Sequence, residues 1–388
     1  MAKKAYIGVD DVAKTVKKVY LGVDGIARKI KKAYIGIGGV ARPCWGGGGV
    51  LAYYGTITDL SEARTHLAAT TVGNYAIFGG GYASEHSSVV DAYNTSLTIF
   101  KPTGLNLARS KLAATTIGDY ALFGGGGYSV SGKNYVSDVV DAYDKSLTKS
   151  SPTKLTTVMA QPAATTVGDY ALFCGGHYDS NNNVHAYNRS LTLSTSTPIS
   201  TTIDALAGTT VGDYALFGGG NAYTNVPSAK VFAYDKSLVQ TLPTALSLAR
   251  FNLAATTVGN YALFGGGGYY ANDTITMSDI VEAYDKSLTQ TIQTPLSEAR
   301  GYLAATTIGG YALFGGGDIQ LTSYELGVVD SYDANLTRTI QTKLSTSRGC
   351  LAATTIGDYA LLGGGHTTGG SPSKLGTRFA TVESYTLV

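Results

Sequence analysis

The sequence predicts an all-β fold built from seven copies of one four-stranded unit, and three observations predict it. A nearly invariant sentence, "LAATTVGNYALFGGGG" at Leu253, also begins at Leu67, Leu112, Pro162, Leu206, Leu303 and Leu351. Its tyrosine (Tyr75, Tyr120, Tyr170, Tyr214, Tyr261, Tyr311, Tyr359) recurs every 44 to 50 residues, the spacing of radially repeated sheets rather than of helical repeats of ~33–34 residues. The two ends also hold complementary parts of one unit. "LAYYGTITDLSEAR" aligns with "SLTQTIQTPLSEAR", a fourth strand without the preceding three, and the terminal "ATVESYTLV" aligns with "DIVEAYDKSLT" and stops at a third strand. The N-terminal strand is therefore expected to complete the last unit and close a ring, removing exposed sheet edges.

The elements follow in order. "AYIGVDDVAKTVKK", "VYLGVDGIARKIKK" and "AYIGIGGVARPCW" begin at Ala5, Val19 and Ala33, on a 14-residue period. Asp-Gly and Gly-Gly between short β-forming runs predict hairpins with two-residue turns. A helical reading competes, because Ile26, Ile30, Ala33 and Tyr34 fall at i, i+4, i+7 and i+8. Fourteen residues are short for a helix plus a strand, so β is favoured. Within each long repeat, "LAATTV" and "YALF" read as strands joined by Gly-Asp or Gly-Asn. The glycine run allows backbone conformations closed to other residues. Segments such as "VVDAYDKSLT" supply a third strand and an Asp-led turn, and "TQTIQTPLS" supplies a fourth. Small Ala and Thr on the first strand suit the crowded position nearest an axis. Residues 50–388 thus read as a seven-bladed β-propeller with four-stranded blades, preceded by a small β-rich repeat module.

Composition sets limits on partners and chemistry. Residues 1–45 carry ten Lys/Arg against three Asp/Glu, and the remainder nineteen against twenty-four. That asymmetry marks a domain boundary, with 46–49 a glycine linker. No apolar run approaches the ~20 residues of a membrane helix, and the basic start lacks the apolar core and cleavage site of a signal peptide. Cys44, Cys174 and Cys350 are scattered, with no CxxC pair, so neither a disulfide framework nor a zinc site is expected. No GxSxG, HExxH or P-loop is present, and the glycine runs end strands rather than opening a helix that could hold an anion.

The Gly-Gly pair ending a strand, the Tyr after a variable loop, and an Arg ahead of the next blade (Arg64, Arg109, Arg250, Arg300, Arg348) resemble the kelch-repeat β-propeller family. The resemblance covers residues 50–388. Kelch blades typically carry a Trp several residues after the Tyr. Here Leu97, Leu147, Leu191, Leu238, Leu288 and Leu336 hold that place, so the chain reads as a kelch-like variant. The 14-residue motif resembles tandem segments in tail-associated and other structural proteins of phages and prophages of Gram-positive bacteria. That resemblance implies a virion protein, made in the bacterial cytoplasm, whose residues 1–45 attach it to other virion or tail proteins and support a homo-oligomer. Tyr6, Tyr20, Tyr34, Lys17, Lys18, Lys31 and Lys32 are the attachment candidates. Nucleic acid is not the expected partner, because no further aromatic platform accompanies the basic residues.

In a propeller the second-to-third and fourth-to-first connections share one face. On the other face, the turns "VGDY" and "DKSL" barely vary, which reads as scaffold. On the first face, each repeat has its own loop, rich in Tyr, Ser, Gly and Asn, a paratope-like composition on a rigid support. The candidate ligand-binding residues there are Tyr82, Tyr128, Tyr135, His177, Tyr178, Tyr223, Tyr269, Tyr270, Tyr324 and His366, with a host cell-surface glycan or protein as ligand. No catalytic residue, metal ligand or cofactor is expected. Kelch-type galactose oxidases use Tyr and His copper ligands and a Cys–Tyr crosslink, but the five histidines here show no pair at ligand spacing. The recurrent arginines are expected to hold blade to blade. A general protein-interaction scaffold is the alternative reading, and a galactose-oxidase-like metal enzyme stands behind it.

Overall fold

The second long repeat shows how the sequence builds a sheet. Ala113–Ile117 and Tyr120–Gly124 pair antiparallel with Ile117 opposite Tyr120, so Gly118 and Asp119 are the whole turn. Gly118 takes φ +55, which glycine adopts without a side-chain penalty. Val140–Asp144 pairs with the second strand, and Lys149–Ser150 pairs with the third. Between those last two, Asp144 accepts the amides of Ser146 and Thr148 at 2.8 and 2.9 Å. This side-chain clamp holds the tight turn in which Leu147, at the place of the kelch Trp, sits at φ +62. The second strand is buried on both faces from Ala121 onward, as a strand sandwiched between neighbouring sheets must be.

The computed structural model describes residues 49–388 apart from 177–181, 223–225, 273, 321–323 and 369–374, with backbone alone at 320, 324, 368 and 375; earlier in the chain it describes the backbone of six strands. Among the described residues there is no helix and no span able to cross a membrane as one. The chain divides into two compact units, Met1–Leu51 with Leu387–Val388, and Ala52–Thr386. The first contains three antiparallel hairpins: Ala5–Val9 with Val12–Val16, Tyr20–Val23 with Ile26–Lys29, and Ala33–Ile37 with Val40–Trp45. Tyr6, Tyr20 and Tyr34 lie opposite Thr15, Lys29 and Pro43, one register position repeated three times. The described residues of this module are strands, as the β reading expects, and none of them is helical. Lys17, Lys18, Lys31 and Lys32 fall outside the described residues.

The second unit has a propeller-like arrangement of four-stranded antiparallel sheets. Their first strands are Ala68–Val72, Ala113–Ile117, Ala163–Val167, Ala207–Val211, Ala254–Val258, Ala304–Ile308 and Ala352–Ile356. The sheet that begins with Ala352–Ile356 continues through Tyr359–Gly363 and Val382–Leu387 to Leu51–Ile57. Apolar layers lie between successive sheets. Ile77, Val90 and Leu105 pack with Leu112, Phe123 and Tyr143, and the same kind of layer joins Phe78 and Tyr93 to Ile356, Leu361 and Val382. In six of the repeats the first glycine of the run serves this layer, and in the third Cys174 holds the place. A Cβ on Gly124 would lie 2.7 Å from the Phe173 ring of the next sheet, an overlap that only a missing side chain avoids. The following Gly125 and Gly126 serve the backbone instead, with φ +70 and +102.

Five buried ion pairs tie the connections between sheets: Arg64–Asp91, Arg109–Asp141, Arg250–Glu282, Arg300–Asp330 and Arg348–Glu383, at 2.6 to 3.4 Å with every side chain fully buried. The carbonyl of Arg109 accepts the amide of Gly81 in the preceding sheet at 2.9 Å, while its guanidinium reaches Asp141 and the Phe123 carbonyl in the following one. One residue thus joins two sheets. The two repeats without Arg also lack the acid. Met159 and His185 take the places in one, and Ile203 and Phe232 in the other; all four are buried. Charge is removed in pairs, as desolvation demands, since a lone buried ion costs far more than a missing pair.

Asp141→Ala is expected to lower stability by about 3–5 kcal/mol in a chemical denaturation titration, because it strands the Arg109 guanidinium. The double change Arg109→Met with Asp141→His, which copies Met159 and His185, should cost less than that single change.

Candidate functional site

The axis carries two layers of hydrogen bonds. In the inner layer each sheet offers the Thr-Thr of "LAATT" to its neighbours. The hydroxyls pair as Thr70–Thr116, Thr115–Thr166, Thr165–Thr210, Thr209–Thr257, Thr256–Thr307, Thr306–Thr355 and Thr71–Thr354, at 2.7 to 2.9 Å. Each second threonine also donates to the backbone carbonyl of the second threonine in the neighbouring sheet, as Thr166 does to Thr116 at 2.6 Å. Most of these threonines line an open channel of about 500 Å³.

Above the threonines, at the loop end, lies a second layer made of the residue just ahead of each repeated sentence. His66, Lys111, Gln161, Ala205, Asn252, Tyr302 and Cys350 all take φ between +51 and +56, although none is glycine. Each donates its amide to the carbonyl of the one before, from Lys111 to His66 at 2.9 Å through to Cys350 to Tyr302 at 2.9 Å, and His66 donates to Cys350 at 3.0 Å. A left-handed conformation costs a non-glycine residue of order 1–3 kcal/mol, and this circuit of bonds is what holds it. The chemistry of the side chains differs at all seven positions. His66, Lys111, Gln161, Ala205 and Asn252 border an open depression of about 180 Å³ at the channel mouth.

Farther out, several loops that sequence analysis reads only as variable are folded as small hairpins: Gly127–Val130 with Lys133–Val136, Gly268–Ala271 with Thr274–Met277, Asp318–Gln320 with Tyr324–Glu325, and His366–Thr368 with Leu375–Arg378. Tyr128 and Tyr135 face each other across the first and stack at 5.4 Å. Tyr135 and Tyr270 are 44% and 39% exposed, the second leaning on Phe251 at 5.6 Å. Tyr269 is half-buried opposite Thr276. Tyr82 meets His86 edge-on at 5.3 Å and lies under the Arg378 guanidinium, 5.1 Å from its ring centre. His177, Tyr178 and Tyr223 lie outside the described residues, and of Tyr324 only the backbone is described.

His366 is placed differently from the exposed tyrosines. It is 6% exposed and forms a cluster with His66 and Cys350 in which one ring nitrogen of each histidine and the Cys350 Sγ all lie within 4.8 Å of one another. The imidazoles stack at 5.7 Å. Burial pushes the His66 ring down to about 3, with the Lys111 and His366 charges adding to the shift; His366 is also lowered, chiefly by burial. The His66 ring is therefore neutral near pH 7. Sequence spacing misses this group because His66 and Cys350 stand near opposite ends of the long repeat array, and only the folded arrangement makes them neighbours. Beside Cys350, Gly349 makes room for Asp318, whose Oδ1 would lie 2.0 Å from an added Cβ. That oxygen is buried with no hydrogen-bond partner.

No protein-family model and no curated protein matches the chain. Among solved structures, the chain is similar to that of YjhT, a kelch-like propeller, with a TM-score of 0.61 at 14% identity over 74% of this chain and 99% of that one. At that identity the likeness shows the fold alone. The class is therefore an all-β, propeller-like protein, and any function rests on the chain's own surfaces.

The Asp318 carboxyl is pushed up to about 7, by burial first and the Glu325 charge second. Its folded form keeps a proton that the unfolded chain releases above pH ~4. Stability should therefore fall as pH rises from about 4 through 7 and then level off. Asp318→Asn, which does not ionise, should gain on the parent across that window by on the order of 2–4 kcal/mol, read as the difference in unfolding free energy at pH 4.5 and 8.

Proposed function

We propose that residues 50–388 form a closed, seven-bladed, kelch-like propeller that works as a non-enzymatic recognition scaffold on a phage or prophage particle. Its loop face binds a host-surface glycan or protein. In this reading Leu51–Ile57 is the outer strand of the last blade, which is supported by its place in the same sheet as Ala352–Ile356 and by the threonine pairing from Thr354 back to Thr71. Residues 1–45 attach the protein to other particle proteins and support a homo-oligomer. The placement in a virion rests on the 14-residue motif and its basic charge.

The observation that carries the recognition reading is the contrast between the two ends of the sheets. At one end the turns repeat the same Asp or Asn clamp, as at Asn94, Asp144, Asn188, Asp235, Asp285 and Asp333. At the other, hairpins of different sequence present Tyr135 and Tyr270 to solvent from a rigid base. Tyrosine brings large contact area with little side-chain entropy to lose. A stacked pair such as Tyr128 and Tyr135 offers a flat edge to a sugar ring or a peptide.

The test uses fluorescently labelled full-length protein on a panel of Gram-positive strains. Staining of a narrow subset of strains, reduced at least tenfold by combined Tyr135→Ala and Tyr270→Ala, is the expected result. Staining of no strain, or staining indifferent to those changes, overturns the reading.

A further inference from the structure

We infer that His66, Cys350 and His366 form a binding site for a thiophilic transition-metal ion, zinc by preference, at the mouth of the axial channel. The inference is independent of the recognition reading.

The hydrogen bonds around Thr65 prepare the ligands. Its buried hydroxyl contacts four groups: His66 Nδ1 at 3.2 Å, His366 Nδ1 at 2.9 Å, the Cys350 carbonyl at 3.3 Å and the Cys350 thiol. One side chain therefore touches all three ligand residues. Both rings are oriented by the same outer partner, which is how metal-binding histidines are held.

The backbone adds to this preparation. The His66 amide donates to the Cys350 carbonyl at 3.0 Å, and His366 exchanges both of its backbone bonds with Gly349, the neighbour of Cys350. The three ligands are therefore bonded to one another before any ion arrives. Two imidazoles and one thiol favour zinc or cuprous copper over hard oxygen-seeking ions. Three protein ligands leave a fourth position for water or a substrate atom, as in zinc sites that keep one open. Binding breaks the Cys350 S–H bond, releases that proton to solvent and forms the metal–sulfur bond.

Nothing in the scaffold requires this combination. The other circuit positions hold Lys111, Gln161, Ala205, Asn252 and Tyr302 at the same backbone angles. The residue that follows the glycine run, His366 here, is Asn221 or Asp318 in other repeats. Substitutions borrowed from those repeats therefore keep the fold's own choices.

The experiment titrates the reduced full-length protein with Co²⁺ and follows the thiolate-to-cobalt charge-transfer absorption, then displaces the cobalt with Zn²⁺. One equivalent of cobalt should give the band, and zinc should abolish it. Cys350→Ala should lose the band entirely. His66→Gln, His366→Asn and Thr65→Val should each weaken binding by about tenfold or more. The metal-free melting temperature of the first three should match that of the parent. A parent protein without the band, a band that survives in Cys350→Ala, or histidine variants that bind as the parent does each overturns the site.

Discussion

Around the axis, the hydroxyls of the Thr-Thr dipeptides pass hydrogen bonds from sheet to sheet, and the other layers are built outward from that circuit. The first threonine of one strand meets the second threonine of the next, and that second threonine also donates to a backbone carbonyl behind it. Strands meeting near an axis leave room for only small side chains, yet their backbones and hydroxyls must stay paired once water is scarce. Threonine satisfies both conditions. Its methyl branch suits the β backbone, and its hydroxyl both donates and accepts. Alanine on either side of the pair would fill the space without making the bonds.

Farther from the axis the same problem is solved with different chemistry. The phenylalanines of the second strands fill the gap left by the glycine of the neighbouring sheet, and the third-strand tyrosines reach back to the preceding sheet's outer segment, as Tyr143 does to the Thr103 carbonyl at 2.7 Å. The buried arginines complete the set with charge. Their loss in two repeats, always together with the partner acid, shows that the pair is exchangeable as a unit for an apolar or neutral one. The joint between neighbouring sheets depends on shape and on paired polarity, and ionic character is optional.

The all-β, propeller-like architecture was legible because it is written in local signals: two-residue turns, β-forming runs and a fixed period. The repeated arginines were also legible as joints, since residues that recur in register with the scaffold belong to it. The hairpins within the loops were not, because Gly127–Val130 and Gly268–Ala271 share little beyond an initial Gly-Tyr and sit in loops whose sequences otherwise differ. The left-handed ring was hidden for a related reason. Its seven positions carry no glycine to betray their φ, and tertiary hydrogen bonds impose the conformation on whatever residue is present. The histidine–cysteine cluster was invisible to spacing rules, which assume ligands close in sequence.

That ring has a further consequence for how such a protein can change. The backbone angle at each position is fixed by its neighbours' amides and carbonyls, so exchanging one non-glycine side chain for another leaves the local strain nearly the same. Lysine, glutamine, alanine, tyrosine and cysteine already occupy equivalent places in one chain. The channel mouth is thus a seven-letter word in which each letter can be rewritten while the sheets beneath stay as they are. A lineage can alter what this mouth holds one residue at a time, without passing through an unfolded ancestor.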